Sequence, residues 1–473
     1  MPFGWRRFFP DAHTPSRSAS MLALTLSLSA LALLPSGPLP KDDPAPVIVI
    51  DEAPAPIYLI RASEVIVRPG ESIQDGEVLV QNGMILAVGK GLTAPEGAIL
   101  VEGQTVCAGF IDPWSSLGVD SASVAEQQTD ASMATSSAID LFNQDHYRTA
   151  ARDAGVLLVR SQVGKDAWLG GLGSVLESGP AGAVVLEDAC LSFTCGITRS
   201  GNRSDVFDRI GEADRVGSTI ASGLKYRESQ VEYAHELEAW QKTIDEAAVK
   251  LEKDFKKAQK DREKEVEKAK EKDKEFKEER YKEDKRPSAP KFDADKEVLA
   301  RAAHGEIPVL VEVHGTQELR ALLASTKDLT RLRLMISGGT NALPFAEELA
   351  ARRIPVIVQP MPTGAPSSSE EKGHDLGLAA ALADAGVQVL IGTGGAVAGV
   401  RDLPVLAQLA ISHGLSEKAA FEALTIGAAN AFDLGDRYGT VEAGKHAELL
   451  VLNGSPLGGR TTFVFTGGTL VEL

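Results

Sequence analysis

Val311-Glu312-Val313-His314 sets a carboxylate and an imidazole two residues apart in an apolar, β-type run. Side chains at i and i+2 of a strand share a face. Glu312 and His314 therefore form either an acid/base couple or a hydrogen-bonded pair inside the core. Trp168-Leu169-Gly170-Gly171-Leu172-Gly173-Ser174 is Gly-rich but lacks the lysine and the Ser/Thr ending of a phosphate-binding loop, so it reads as a plain loop. Cys107, Cys190 and Cys195 contain no CxxC pair, which excludes a zinc ribbon or a thioredoxin-type site. Cys190 and Cys195 are close enough in sequence for a small disulfide loop or are two half-buried thiols.

These residues sit in alternating apolar strands and helix-length segments. Strand-like runs occur at residues 155–159, 308–313, 332–336, 355–358 and 387–391, and helical segments at 343–352, 374–385 and 403–412. Strands buried on both faces and separated by helices make a parallel sheet. The number of such units in one core favours a closed (β/α)8 barrel, although the period alone leaves a doubly wound sheet open. Both chain ends differ from this. Residues 57–106 read as short strands with Asn82-Gly83 as a hairpin turn, and 447–452 and 462–473 read as a strand and a hairpin. The expected fold is thus of the α/β class, with a (β/α)8 barrel over 108–435 and a small composite β-sandwich built from 46–107 and 436–473.

A charged segment at 225–286, free of Gly and Pro, interrupts the barrel. Tyr233, Trp240 and Ala247 fall on one heptad position and Leu237, Ile244, Leu251 and Ala258 on another, a narrow stripe of coiled-coil type. The segment reads as a projecting helix or helical hairpin, roughly 90 Å long as one helix. It is either a solvated insertion or an arm for a protein partner or for self-association.

The net charge of -17 over 473 residues excludes a non-specific nucleic-acid binder, because phosphate is repelled. Arg6 and Arg7 precede an apolar run, Met21–Leu34, that is too short to span a bilayer comfortably. Residues 1–45 read as an export segment. Translation from Met21, a loose twin-arginine signal at Arg6-Arg7-Phe8-Phe9 and an uncleaved membrane anchor are the alternatives. The expected location is periplasmic or otherwise extracytoplasmic.

Two motifs carry a family resemblance. Ala108-Gly109-Phe110-Ile111-Asp112-Pro113-Trp114-Ser115-Ser116 resembles the segment that opens the barrel in amidohydrolases, PGFID followed after one residue by His-x-His. Thr425 to Ala429, then Gly439-Thr440-Val441-Glu442-Ala443-Gly444-Lys445-His446-Ala447-Glu448-Leu449, resembles that family's closing signature, T-x-x-x-A and G-x-I-x-x-G-K-x-A-D-L. The branch resembled is the imidazolonepropionase-like one, in which the two terminal strand regions join beside the barrel. The resemblance implies one or two divalent metals at the barrel mouth, which lower the pKa of bound water toward about 7. A His pair on the first strand, His on two middle strands and a proton-shuttling Asp on the last would hold them.

The matching positions depart from that pattern. Trp114 and Ser116 stand where His-x-His is expected, Ser337 where a histidine is expected, and Gly394 where the Asp belongs. His314 alone fills a ligand position of the family. The resemblance therefore implies a catalytically degenerate member, a pseudoenzyme or binding scaffold with no metal cofactor. Trp114, Ser116, Ser337 and Gly394 would line a ligand cavity at the mouth, with Trp114 filling vacated space or serving as an aromatic platform for a small molecule. The alternative is an active hydrolase of non-peptide C–N bonds, such as cyclic amides. In it Asp112, Glu312 and His314 would converge on a rebuilt zinc site.

Overall fold

The computed structural model describes residues 55–119, 123, 126, 129–141, 145–164, 167–179, 182–196, 206–270, 285–361, 375–395 and 397–473, with backbone alone at 145, 206 and 249–270. The expected export segment, residues 1–45, lies outside the described residues. Among the described residues, no helix is long and apolar enough to cross a membrane.

Eight strands form the barrel sheet: β5 (Phe110–Ser115), β6 (Val156–Ser161), β7 (Leu169–Glu177), β8 (Val184–Thr194), β9 (Val309–Val313), β10 (Leu334–Gly338), β11 (Val356–Val358) and β12 (Val389–Ile391). They are hydrogen-bonded in chain order. The seam between β12 and β5 is bridged just beyond the strands, where Gly395 N donates to Trp114 O at 3.0 Å. Alternation sorts the side chains. Leu158, Leu310, Met335, Ile357 and Leu390 point into one interior cluster. Val309, Val311, Val313, Leu334, Ile336, Val356 and Val358 face outward against the helices. Those helices are α1 (Asp145–Asp153), α2 (Val206–Lys270), α3 (Ala294–Ala303), α4 (Thr316–Ser325), α5 (Ala346–Ala351), α6 (Leu378–Asp384), α7 (Leu403–Ser412), α8 (Glu417–Leu424) and α9 (Ile426–Ala431).

The Gly-rich run at 168–174 supplies most of strand β7 rather than a loop, and β7 pairs antiparallel with both β6 and β8. The remaining neighbours in the barrel pair in parallel. Two hairpins thus replace helical crossovers here. The glycines serve close approach: a Cβ on Gly173 would lie 2.6 Å from the Arg160 guanidinium. Cys190 and Cys195 are free and buried, and they belong to different core clusters on opposite faces of the chain, which precludes a bridge between them.

The second sheet joins both ends of the chain. Its strands are β1 (Ile57–Arg68), β2 (Glu71–Gln81), β3 (Met84–Gly89), β4 (Ile99–Ala108), β13 (Leu449–Asn453), β14 (Arg460–Thr466) and β15 (Thr469–Glu472), in the order β15-β14-β13-β4-β1-β2-β3. β13 pairs antiparallel with β4, from Leu449↔Ala108 to Leu452↔Thr105. Asn82 and Gly83 both have positive φ, 53° and 70°, as the tight β2–β3 hairpin requires. The sheet curls until β3 bonds the segment before β13: Ile85 N donates to Lys445 O and Ala447 N to Gly83 O, each at 2.8 Å. Ile60, Val65, Val78, Val106, Leu449 and Phe465 fill the enclosed core.

The charged insertion belongs to α2, one helix of 65 residues and roughly 98 Å at 1.5 Å per residue. It begins well before the charged run, because its first turns pack on the barrel. Gly223 touches the backbone of α3, where a Cβ would lie 2.3 Å from Ala300 N, and Gly217 touches Ser325. Arg209 Nε pairs with Glu318 Oε1 at 2.8 Å, and Trp168 Nε1 donates to Glu212 O at 3.0 Å. Farther out, Tyr233, Leu237, Trp240, Ile244 and Ala247 are half-buried, while every residue between them is exposed. The Leu251 and Ala258 side chains lie outside the described residues.

Candidate ligand site in the barrel interior

β5 turns Asp112 and Trp114 into the barrel, and Ser116 follows just past the strand. Asp112 is fully buried. Its Oδ1 accepts hydrogen bonds from Trp114 N at 3.0 Å and Thr393 N at 3.2 Å, and its Oδ2 accepts one from the Thr393 hydroxyl. Burial pushes its pKa up to about 7, against the opposing pull of those hydrogen bonds and of the Arg160 charge. Both oxygens are thus committed to tying β5 to the end of β12.

Glu312 and His314 do form a pair: Glu312 Oε1 lies 3.7 Å from His314 Nε2, and both are nearly sealed from solvent. His314 Nδ1 is 2.8 Å from Thr340 Oγ1, and Asn341 Nδ2 donates to the His314 carbonyl at 3.0 Å. The ring lies against Gly338, at φ 82°, where a Cβ would come within 2.2 Å of it. The hydrogen bonds of Asp112 go to Trp114 and Thr393, not to this pair.

Trp114, 2% exposed, packs in the interior cluster with Leu310, Met335 and Ile357 and fills the barrel. Gly394 has φ 76°, and a Cβ there would meet the Gln359 amide at 2.5 Å. That amide donates to Thr393 O at 2.9 Å and occupies the volume a carboxylate at 394 would need. Ser116 Oγ, Ser337 Oγ and Glu312 Oε2 are buried with no hydrogen-bond partner among the described residues. The space beside His314, lined by Gly338, Thr340, Val358, Gln359, Asp375 and Leu378, measures about 10 Å³, enough for one water.

The residue that sequence reasoning missed is Arg160, on β6. It is completely buried; Nη1 donates to Gln162 Oε1 at 2.5 Å and Nη2 donates to Ser192 Oγ. Its charge acts on Asp112. The signal was an arginine inside the apolar strand Val156–Ser161, whose guanidinium packs against Gly173.

The donors do not fit a divalent transition metal. Such sites use about three or four imidazole, thiolate or carboxylate ligands. Here one imidazole pairs with the Glu312 carboxylate and Asp375 lines the adjoining space, with neutral serine hydroxyls elsewhere, and a fixed guanidinium sits in the same interior. Among the described residues, no group of three or more His, Cys, Asp or Glu side chains could hold a metal.

Residues 256–471 match the profile of the amidohydrolase family. No curated protein matches the sequence significantly. Among solved structures, an amidohydrolase from Thermotoga maritima MSB8 shares 21% identity and a TM-score of 0.65, covering 88% of this chain and 99% of its own. An adenosine deaminase from Xanthomonas campestris with bound zinc shares 16% identity and a TM-score of 0.46, covering 89% and 94%. The A. niger ochratoxinase shares 13% identity and a TM-score of 0.49, covering 88% and 96%.

Proposed function

We propose that this protein is a member of the amidohydrolase superfamily, whose family model matches residues 256–471, and that within it the chain is a binding scaffold whose barrel interior is held together by a guanidinium rather than by a metal. The observation that carries this reading is Arg160: fully buried, bonded to Gln162 and Ser192, and acting electrostatically on Asp112. Members of the family are typically metal-dependent. A cation fixed covalently inside the barrel repels a second one, and a guanidinium cannot acidify a bound water as a divalent metal does.

In this reading the chain's own residues hold the interior closed. Asp112 ties the barrel seam through Thr393 and Trp114. Trp114 excludes water from the cluster beneath it. The unpartnered atoms of Ser116, Ser337 and Glu312 offer polar contacts to water or to a small polar molecule. Export to an extracytoplasmic compartment, and association through the stripe on α2, belong to the same proposal.

Those unpartnered atoms also favour a second reading, an active hydrolase of non-peptide C–N bonds with a rebuilt site. Hydrolysis of a panel of cyclic amides and N-acyl amino acids separates the two, assayed with added zinc and with chelator. The scaffold reading expects no turnover that depends on metal. Turnover that zinc restores and that His314→Ala abolishes overturns it.

A further inference from the structure

The base of the barrel holds polar groups that the mouth does not use. Glu177 closes β7, and Glu448 directly precedes β13. Glu448 O accepts a hydrogen bond from Gly109 N at 2.8 Å, in the link between β4 and β5, so this is where the barrel meets the second sheet. Both carboxylates converge on the β14–β15 turn. Gly467 N donates to Glu448 Oε1 at 2.7 Å, and a Cβ on Gly467 would lie 3.1 Å from Glu177 Oε2. Glycine at 467 leaves that space open.

The two glutamates are 9% and 6% exposed; burial raises the pKa of Glu177, and the charge of Glu177 adds to the cost of ionising Glu448. Burial, then the charge of Glu177, pushes the Glu448 pKa up to about 8. Glu448 Oε2 and the fully buried Thr466 Oγ1 both lack a hydrogen-bond partner among the described residues. Yet the Thr466 hydroxyl is within hydrogen-bonding reach of the Glu448 carboxyl and offsets part of its shift, so the two side chains are adjacent.

Neighbouring cations are engaged elsewhere. Arg148 on α1 donates to Gly179 O at 2.5 Å, and Arg437 lies over the Tyr438 ring at 5.5 Å. Tyr438 is acidic only at very high pH, because burial and both glutamates oppose its ionisation. His446 stacks on Tyr438 at 4.7 Å, and burial lowers its pKa, which keeps it neutral.

We propose that Glu177, Glu448 and Thr466 form a site for a hard divalent cation of the calcium or magnesium class, pinning the barrel base to the second sheet. Every donor is oxygen, two are anionic, and water completes the shell, as such ions require. Binding displaces the proton that the glutamate pair otherwise holds.

The test uses chelator-treated full-length protein, titrated with calcium or magnesium by calorimetry and followed by thermal melting. Either ion is expected to bind and raise Tm, more strongly at pH 8 than at pH 6, where protons compete. Glu448→Gln is expected to abolish the shift while raising the cation-free Tm. Thr466→Val is expected to weaken binding, and His314→Ala to leave it unchanged, which separates this site from the barrel mouth. Absence of any shift at millimolar cation, or a shift that persists in Glu448→Gln, overturns the proposal.

Discussion

Replacing Arg160 with methionine keeps the length of the side chain and removes its charge. The substitution deletes two charge-assisted hydrogen bonds, to Gln162 Oε1 and Ser192 Oγ, and the positive charge acting on Asp112. Hydrogen bonds to a charged group contribute about 1.5–3 kcal/mol each. Among the described residues, no ion pair joins Arg160 to Asp112, and the Arg160 charge is the smallest of the influences on that carboxyl, so the two hydrogen bonds carry most of the cost. The methionine stem recovers some apolar packing, so the net expected loss is about 2–4 kcal/mol. Urea melts read it directly. In an Asp112→Asn background, with the negative charge already gone, the same substitution should cost less by about 1–2 kcal/mol, the coupling of the pair. The pH dependence has a definite sign. Asp112 titrates near 7 in the fold, above its ordinary 3.8, so its contribution to stability is full below pH 4 and is lost as pH rises through 7. Without Arg160 its pKa moves higher still. A loss under about 1 kcal/mol, or an equal loss in both backgrounds, refutes the electrostatic reasoning.

Three further outcomes are expected. Glu448 titrates near 8 in the fold against 4.5 ordinarily, so its contribution is full below pH 4.5 and falls until pH 8. In cation-free buffer, the stability advantage of Glu448→Gln should grow across that window to several kcal/mol, and an advantage independent of pH contradicts it. Gly394→Asp places a Cβ at φ 76° and 2.5 Å from Gln359. It should lose about 2 kcal/mol or more in urea melts and gain no zinc affinity. Gly223→Ala forces α2 from α3 at Ala300 and should cost about 3 kcal/mol, seen as a lowered melting midpoint with helix content largely kept.

Much of this architecture is readable from the chain. Alternating apolar strands and helices give the barrel, and α7 occupies the expected residues, 403–412. Asn82-Gly83 marks its hairpin, and the two terminal strand regions pair through β4 and β13. What the sequence hides are effects of contact at a distance. Gly170, Gly171 and Gly173 suggest a loop, yet they are strand residues beside which Arg160 and a neighbouring backbone pass closely. Gly217 and Gly223 lie before the charged run that reads as helical, yet they are crossing points at which α2, already begun at Val206, packs on its neighbours. Arg160 reads as an ordinary charged residue until a barrel closes around it. In the candidate site, the Glu312–His314 pairing follows from strand spacing alone. The commitment of Asp112 to Thr393, 281 positions away, does not. Glu177 and Glu448 likewise meet only because β7 runs backwards to the base.

The central claim is that the positive charge inside this barrel is a guanidinium. Metal analysis by plasma mass spectrometry, on protein purified without chelator and on its His314→Ala variant, tests it most directly. The account predicts substoichiometric zinc, iron and manganese in both. One equivalent of any of them in the wild type, lost in His314→Ala, would contradict it.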